Sequence, residues 1–180
     1  YFKGKDTGGE WKTPSSLPEE GWQINFQNLV FKEQPTGFGH IGLFPEQAPN
    51  WLWIIDQLKQ LNGKEIKVLN VFGYTGASTL AAASAGAHVT HLDASKGSVN
   101  WARENLELSG LGDRPVRWIV EDAMKYMQRE HRRGNKYDAI IMDPPSFGRG
   151  PKGEVWQIED KLSEFMEACQ NIISDSPAFL

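Results

Sequence analysis

The sequence predicts an α/β fold: a doubly wound, mostly parallel sheet with helices on both faces and a small N-terminal β/loop extension. Three observations carry this. From Lys64 onward, short apolar runs alternate with stretches of helical period. The apolar runs, IKVLNVF and YDAIIM among them, are near-continuous, as in strands covered on both faces. Each run closes on a glycine or an acid (Gly73, Asp93, Asp122, Asp143), and in such sheets ligands bind at the carboxyl ends of the strands.

A chain of 180 residues with 39% hydrophobic and 23% charged content can bury one core. No apolar run approaches the ~18 residues a membrane span needs, so no membrane partner is expected. The chain opens YFKGKDTGGEW, with no Met and no basic-then-apolar leader, so a signal peptide is not expected and a longer parent protein is. A single cysteine, Cys169, rules out an internal disulfide and suits a reducing compartment, hence a cytoplasmic location. A net charge of -4 does not advertise nucleic-acid binding, so an RNA partner requires a local basic patch or a further part.

The elements follow in order. Residues 1–50 are expected to hold two short strands and a loop, and residues 51–180 the core. The first 20 residues, rich in Gly, Pro, Ser and charge, read as an irregular lead-in. Trp22 to Pro35 alternates loosely through Ile24, Phe26, Leu29 and Phe31, as a hairpin does. The Gly- and Pro-dense TGFGHIGLFPEQAPN is a loop. Trp51, Ile54, Ile55 and Leu58 have helical spacing, with Gly63 as the stop. Then come the strand IKVLNVF, the small-residue helix GASTLAAASAGA, the strand HVTHLDAS and a helix with Val99, Ala102 and Leu106 on one face. The strand VRWIVED, the helix AMKYMQREHRRG and the strand YDAIIMDPP follow. A last helix places Leu162, Phe165, Met166, Cys169 and Ile173 inward. PAFL reads as the opening of a further strand, so the core is expected to be incomplete at its C-terminus.

The strand ends carry the chemistry. FGYTGAS lacks the middle glycine of G-x-G-x-x-G and the lysine of a phosphate loop, so it is neither a dinucleotide fingerprint nor an NTPase loop. What remains is G-x-x-G between strand and helix. Gly73 and Gly76 let a flat ligand lie against the backbone, and the helix N-terminus favours a carboxylate. A plain tight turn is the alternative. Asp93, 20 residues after Gly73, can accept two hydrogen bonds from a ribose diol. Its other reading is a helix cap, for which Ser95 competes. Asp122 can receive the exocyclic amine of adenine or cap the helix from Ala123, and both can hold. In DPPSFGRG, Pro144 and Pro145 fix the backbone and remove two donors, leaving Asp143 and nearby carbonyls as acceptors for an amine or a cationic centre. Phe147 can stack on a flat base.

These four segments together resemble a class I S-adenosylmethionine-dependent methyltransferase with a Rossmann-like core. VLNVFGYTGASTLAAASAGA is similar to the first motif, HLDAS to the second, VEDAM to the third and DPPSFGRG to the fourth, covering Lys64 to Gly150. PTGFGHIGLFPEQAPNW resembles the loop before the core in the large-subunit (23S) ribosomal RNA methyltransferases of the cytosine-C5 type and their close relatives. The resemblance implies S-adenosyl-L-methionine as cofactor, with Gly73, Tyr74, Thr75 and Gly76 at its methionine end. It implies Asp93, Ala94 and Ser95 at the ribose, Asp122 and Ala123 at the adenine, and His40, Phe44 and Gln47 folded over the pocket. Asp143, Pro144, Pro145 and Phe147 face the methyl group. The implied substrate is an RNA base, ribosomal RNA first.

Two departures bear on the acceptor atom. Cytosine-C5 methylation uses a Cys thiolate, which the related RNA enzymes carry in the fourth motif or at the end of a later strand; the fourth motif here carries Ser146, a far weaker nucleophile, and the later strand falls past Leu180, so carbon and nitrogen both stay open as the acceptor. Cys169 lies on an apolar helix face and reads as core. Direct transfer to a nitrogen suits Asp143, but the usual acid-Pro-Pro-aromatic run is interrupted here by Ser146. His40, His88, His91 and His131 lie far apart, so no zinc site is expected. Glu121 and Asp122, being vicinal, point to opposite sides of a strand and form no dyad. QREHRRGNK reads as a solvated helix end, while Arg149 and Lys152 are placed to guide an anionic substrate. A small-molecule or protein methyltransferase, and an inactive cofactor-binding module in RNA assembly, are the alternatives.

Overall fold

The computed structural model describes residues 11–12, 18, 20–37, 39–61 and 64–180; most of the expected irregular lead-in and the Gly63 stop lie outside them. Four parallel strands form the central sheet: β3 (Lys67–Val71), β4 (His88–Asp93), β5 (Val116–Val120) and β6 (Ala139–Met142). β1 (Trp22–Phe26) and β2 (Leu29–Glu33) form the expected N-terminal hairpin. The sheet order is β5-β4-β3-β6. The chain steps outward from β3 to β4 and β5, then returns to the other side of β3. The reversal falls between β3 and β6, where doubly wound sheets open a ligand crevice.

The connecting helices begin where the sequence provides a start. α1 (Ala48–Gln60) carries a proline in its first turn and buries Trp51, Ile54, Ile55 and Leu58. α2 (Ala77–Ser84) is made of small residues, and Ala81, Ala82 and Ala83 are fully buried, so its backbone lies close to the sheet. Ser95 caps α3 (Lys96–Leu108), its hydroxyl oxygen accepting from the Ser98 N–H at 3.2 Å. Asp122 caps α4 (Ala123–Arg132), accepting from the Lys125 N–H at 3.0 Å. The cations Arg129 and Arg132 complement the dipole at its other end.

Two buried apolar clusters lie on opposite faces of the sheet. One gathers α1, α2 and the hairpin around Val68 and Val89; the other gathers α4 and α5 (Ile158–Ile172) around Leu69, Val71 and Ile140. Alternate residues of β3 and β6 feed the two clusters, which is why these strands read as continuous apolar runs. Two expectations need correction here. α5 docks through Phe165, Ala168, Cys169 and Ile172, and this stripe leaves Leu162 at its solvent edge, 42% exposed. Between the Asp-Pro-Pro turn and α5 the sequence reading placed no strands, yet β7 (Phe147–Arg149) and β8 (Val155–Gln157) form an antiparallel hairpin there. Phe179 makes one parallel bridge to Ala139, in line with the reading of PAFL as strand.

Candidate functional site at the carboxyl edge

The glycine turn after β3 is a strained loop held from behind. Phe72 and Tyr74 have φ of 58° and 48°, left-handed values that cost an aromatic residue about 1–3 kcal/mol each. Such strain persists only where the surroundings over-determine it. Here the Tyr74 N–H donates to the Asp93 carboxylate at 2.9 Å and the Gly73 N–H to the Leu92 carbonyl at 3.0 Å. The Phe72 ring packs on Trp156 and Phe165 at centroid distances of 4.9 and 5.5 Å. Phe72 thus supports the site and also lines its cleft.

The two glycines are required by what lies behind them, not in the first place by a ligand in front. A Cβ on Gly73 would sit 2.5 Å from the ring of His91. A Cβ on Gly76, at φ 90°, would sit 2.8 Å from the Ala102 methyl of α3. His91 is fully buried, its Nδ1 is 2.9 Å from the Thr79 hydroxyl, and Thr79 accepts from Asn70 at 2.9 Å. Burial holds this imidazole neutral, with its pKa pushed down to about 3. Gly73→Ala is therefore expected to destabilise the protein by about 1–3 kcal/mol through overpacking on His91. Adding His91→Ala should recover part of that loss, so denaturant midpoints of the two single variants and the double would be non-additive.

Asp93 projects from the end of β4 and accepts from Tyr74 N–H on one oxygen and from Ser95 N–H, at 2.8 Å, on the other. It is not the α3 cap, which Ser95 provides. Burial raises its pKa above the ordinary aspartate value, and the backbone N–H groups of Ser95, Tyr74 and Ala94 offset part of that rise. Each carboxylate oxygen keeps a lone pair free for a further donor. Asp122 both caps α4 and lines the same cleft, so the two readings of it coexist. Glu121 also borders the cleft, but its carboxylate is tied to Arg129 at 2.6 Å.

The loop before α1 folds over this edge. His40 meets Phe44 at 5.2 Å and Phe44 meets Tyr74 at 5.7 Å, a run of rings from the loop to the glycine turn. A short 3-10 turn, Pro45–Gln47, aims the Gln47 amide at Asp143, to which it donates at 3.4 Å; Asn50 donates to Gln47 at 2.6 Å and orients it. The root of the loop is fastened to the core. The Thr75 hydroxyl donates to the Gly42 carbonyl, Asn105 donates to the Thr75 carbonyl at 2.9 Å, and the Lys32 N–H donates to Asn105 at 2.9 Å. Glu33, which ends β2, is 1% exposed and neither carboxylate oxygen has a hydrogen-bond partner among the described residues. Burial pushes its pKa up to about 7, and the Leu43 amide offsets part of that rise.

These parts enclose a cleft of about 620 Å³. Asp93, Asp122 and Asp143 lie along it, Pro144 and Pro145 border it, and Phe72 and Trp156 form an apolar wall. A smaller hollow continues from it to Gly73, Thr75, Gly76 and Gln47, sharing Phe44, Tyr74 and Asp143. All the residues read as site residues thus meet here with one exception. Phe147 does not line the cleft; it is 55% exposed on the far face of the β7–β8 hairpin, because strand alternation turns Gly148 and Trp156 inward instead. Trp156 was missed. It donates to the Pro145 carbonyl at 2.6 Å and so fixes the proline turn. The Gly-rich, alternating GPKGEVWQ was its available signal. Another hollow, of about 700 Å³, opens at the amino ends of the strands. Its polar floor is internally satisfied, Tyr137 bonding Tyr126 at 2.8 Å and Glu130 at 3.2 Å, which makes the carboxyl-edge cleft the candidate site. Among the described residues no His/Cys/Asp/Glu group could hold a metal, and no helix is long and apolar enough to cross a membrane.

A parallel sheet with a nucleoside-sized cleft of aspartates at its carboxyl edge defines a nucleoside-cofactor enzyme core. The chain belongs to the S-adenosylmethionine-dependent methyltransferases, whose family pattern it matches over residues 2–166. It is 32% identical over 146 residues to the ribosomal RNA large subunit methyltransferase K/L of Shewanella frigidimarina, covering 80% of this chain and 20% of that one. It is 35% identical over 105 residues to the ribosomal RNA large subunit methyltransferase I of Klebsiella pneumoniae, covering 58% of this chain and 24% of that one. The chain therefore spans about a fifth to a quarter of the length of these curated relatives. Among solved structures, a SAM-dependent methyltransferase from Agrobacterium tumefaciens superposes with a TM-score of 0.92 at 47% identity, covering 97% of this chain and 56% of that one. SMU.776, solved in complex with SAH, superposes with a TM-score of 0.79 at 26% identity, covering 91% of this chain and 42% of that one. The cofactor is S-adenosyl-L-methionine, as the resemblance implied.

Proposed function

We propose that the full-length protein transfers the methyl group of S-adenosylmethionine to a base of RNA, with large-subunit ribosomal RNA as the substrate. The observation that carries this is the convergence of three strand-end aspartates, Asp93, Asp122 and Asp143, on one cleft with an apolar wall. In this reading Asp93, with Ala94 and Ser95, holds the ribose; its two oxygens match a diol. Asp122 and Ala123 face the adenine. The turn from Gly73 through Tyr74 and Thr75 to Gly76 holds the methionine end, and His40, Phe44 and Gln47, from the loop before α1, cover it. The bound cofactor supplies an electrophilic methyl group on a sulfonium centre. Asp143, exposed beside Pro144 and Pro145, accepts a hydrogen bond from the group to be methylated and orients its lone pair.

The chain's one cysteine, Cys169, is fully buried against Met127, and burial pushes the thiol up to about 11, so it is no nucleophile. The names of the relatives direct the substrate to large-subunit ribosomal RNA. The test is tritium transfer from labelled cofactor, using the full-length protein and fractions of a strain lacking it. Label in ribosomal RNA is the expected result. Label confined to protein or small metabolites would overturn the RNA reading, and cofactor binding with no transfer to any fraction would leave a binding module.

A further inference from the structure

The two most exposed large apolar side chains among the described residues are Phe147 and Val155, at 55% and 54%. They sit on the same face of the β7–β8 hairpin. Phe147 pairs with Gln157 and Arg149 with Val155, so all four side chains share the face turned away from Trp156, with Phe147 and Val155 as diagonal neighbours. The Arg149 guanidinium lies 6.0 Å from the centroid of the Phe147 ring, and Arg149 also borders the cleft. The hairpin is thus a partition: one face walls the cleft, the other presents an open ring, an aliphatic patch and a cation.

The charge on this partition is locally positive in a chain of net charge -4. Arg149 and Lys152 have no ion pair among the described residues, while the one acid of the hairpin, Glu154, is neutralised by Lys125 and accepts from the Lys152 N–H at 2.8 Å. A flat ring flanked by a planar cation takes a second flat, electron-rich ring, and a neighbouring cation takes a phosphate. Duplex bases have both faces stacked, so only an unpaired base can use such a ring.

We propose that the outer face of the β7–β8 hairpin seats single-stranded RNA beside the cleft. A nucleotide flanking the target base stacks on Phe147 against Val155, and Arg149 and Lys152 hold the adjoining phosphates. This reassigns Phe147 from the target base to its neighbour. The inference rests on the RNA reading above, and its test separates the two.

The test uses the full-length protein and a fluorescein-labelled unstructured RNA of about twelve nucleotides, a length within the usual single-strand site size. Anisotropy should show binding by the wild type. Phe147→Ala should weaken it about tenfold, Phe147→Trp should restore it, and Val155→Asp should weaken it comparably. Arg149→Gln should lower the slope of log affinity against log salt by about one. Calorimetry with S-adenosylhomocysteine should give Phe147→Ala and Val155→Asp the wild-type affinity, which a general loss of folding would not. Wild-type RNA affinity in Phe147→Ala and Val155→Asp would overturn this inference alone. A wild type that binds S-adenosylhomocysteine but not RNA would overturn the RNA reading with it. Variants that bind the free RNA normally but lose the assembled large subunit would give the face to a protein partner, and overturn the proposal.

Discussion

Asp93→Ala, made in the full-length protein, is expected to lower the affinity for S-adenosylhomocysteine by roughly two orders of magnitude or more. Hydrogen bonds to a charged partner are worth about 1.5–3 kcal/mol each, and a diol makes two of them, so about 3 kcal/mol or more is at stake. The same carboxylate secures Tyr74 N–H, so its removal also releases a loop whose Phe72 and Tyr74 stay left-handed only under constraint. Asp93→Asn keeps one acceptor oxygen and should lose less. The wild-type affinity has a sign-determined pH dependence. Burial raises the Asp93 pKa, so the carboxylate takes up its proton at a higher pH than an ordinary aspartate as the solution is acidified. Binding should therefore begin to weaken earlier on acidification than a solvent-exposed aspartate would cause. Titration calorimetry at several pH values checks both points, and unchanged affinity in Asp93→Ala would refute the ribose assignment.

Glu33→Gln is expected to stabilise the protein at pH 8 by on the order of 3 kcal/mol. The folded-state pKa of Glu33 is raised from 4.5 to about 7. Its contribution is fully present below the unfolded value of 4.5 and is lost as pH rises through 7, because the folded state must then bury an unpaired charge. A shift of that size corresponds to about 3 kcal/mol at 1.36 kcal/mol per unit. The amide isostere carries no charge, so the gain should vanish near pH 4. His91 acts in the opposite direction. Its pKa is depressed from 6.5 to about 3, so its contribution is intact above 6.5 and is lost on acidification. Together they place the stability maximum in mildly acidic solution. Thermal melts across pH 4 to 8 should show the Gln variant gaining on the wild type as pH rises from 4.5 to 7, because the wild type then loses through Glu33 what it gains through His91. A variant that melts at the wild-type temperature at pH 8 would show that the Glu33 carboxylate is solvated after all.

The strands, the helices and three of the site's acids were legible because they obey local rules. Period and apolar runs mark β3 to β6, and Ser95 and Asp122 are capping residues at helix starts, where they do cap. What was hidden depends on partners distant in sequence. Nothing around Gly73 announces that His91, 18 residues on, occupies the space its Cβ would need. Phe72 carries no mark of its positive φ, since that angle is imposed by packing on Trp156 and Phe165. The orientation of Phe147 followed from a hairpin register, and a one-residue change of register reverses every side chain in it. Leu162 is apolar and correctly spaced, yet the partner surface ends before reaching it.

The fastening of the N-terminal hairpin to the glycine turn has a consequence for how the molecule breathes. Thr75 grips Gly42, Asn105 grips Thr75 and also receives the Lys32 amide, and Ser109 receives the Val30 amide at 2.9 Å. These bonds cannot be opened one at a time without exposing a buried acceptor, so β2 and the glycine turn form one cooperative unit. Occupancy at Gly73 to Gly76 must then slow deuterium uptake at Val30 and Lys32, strand amides more than 40 residues earlier in the chain, which the cofactor need not touch.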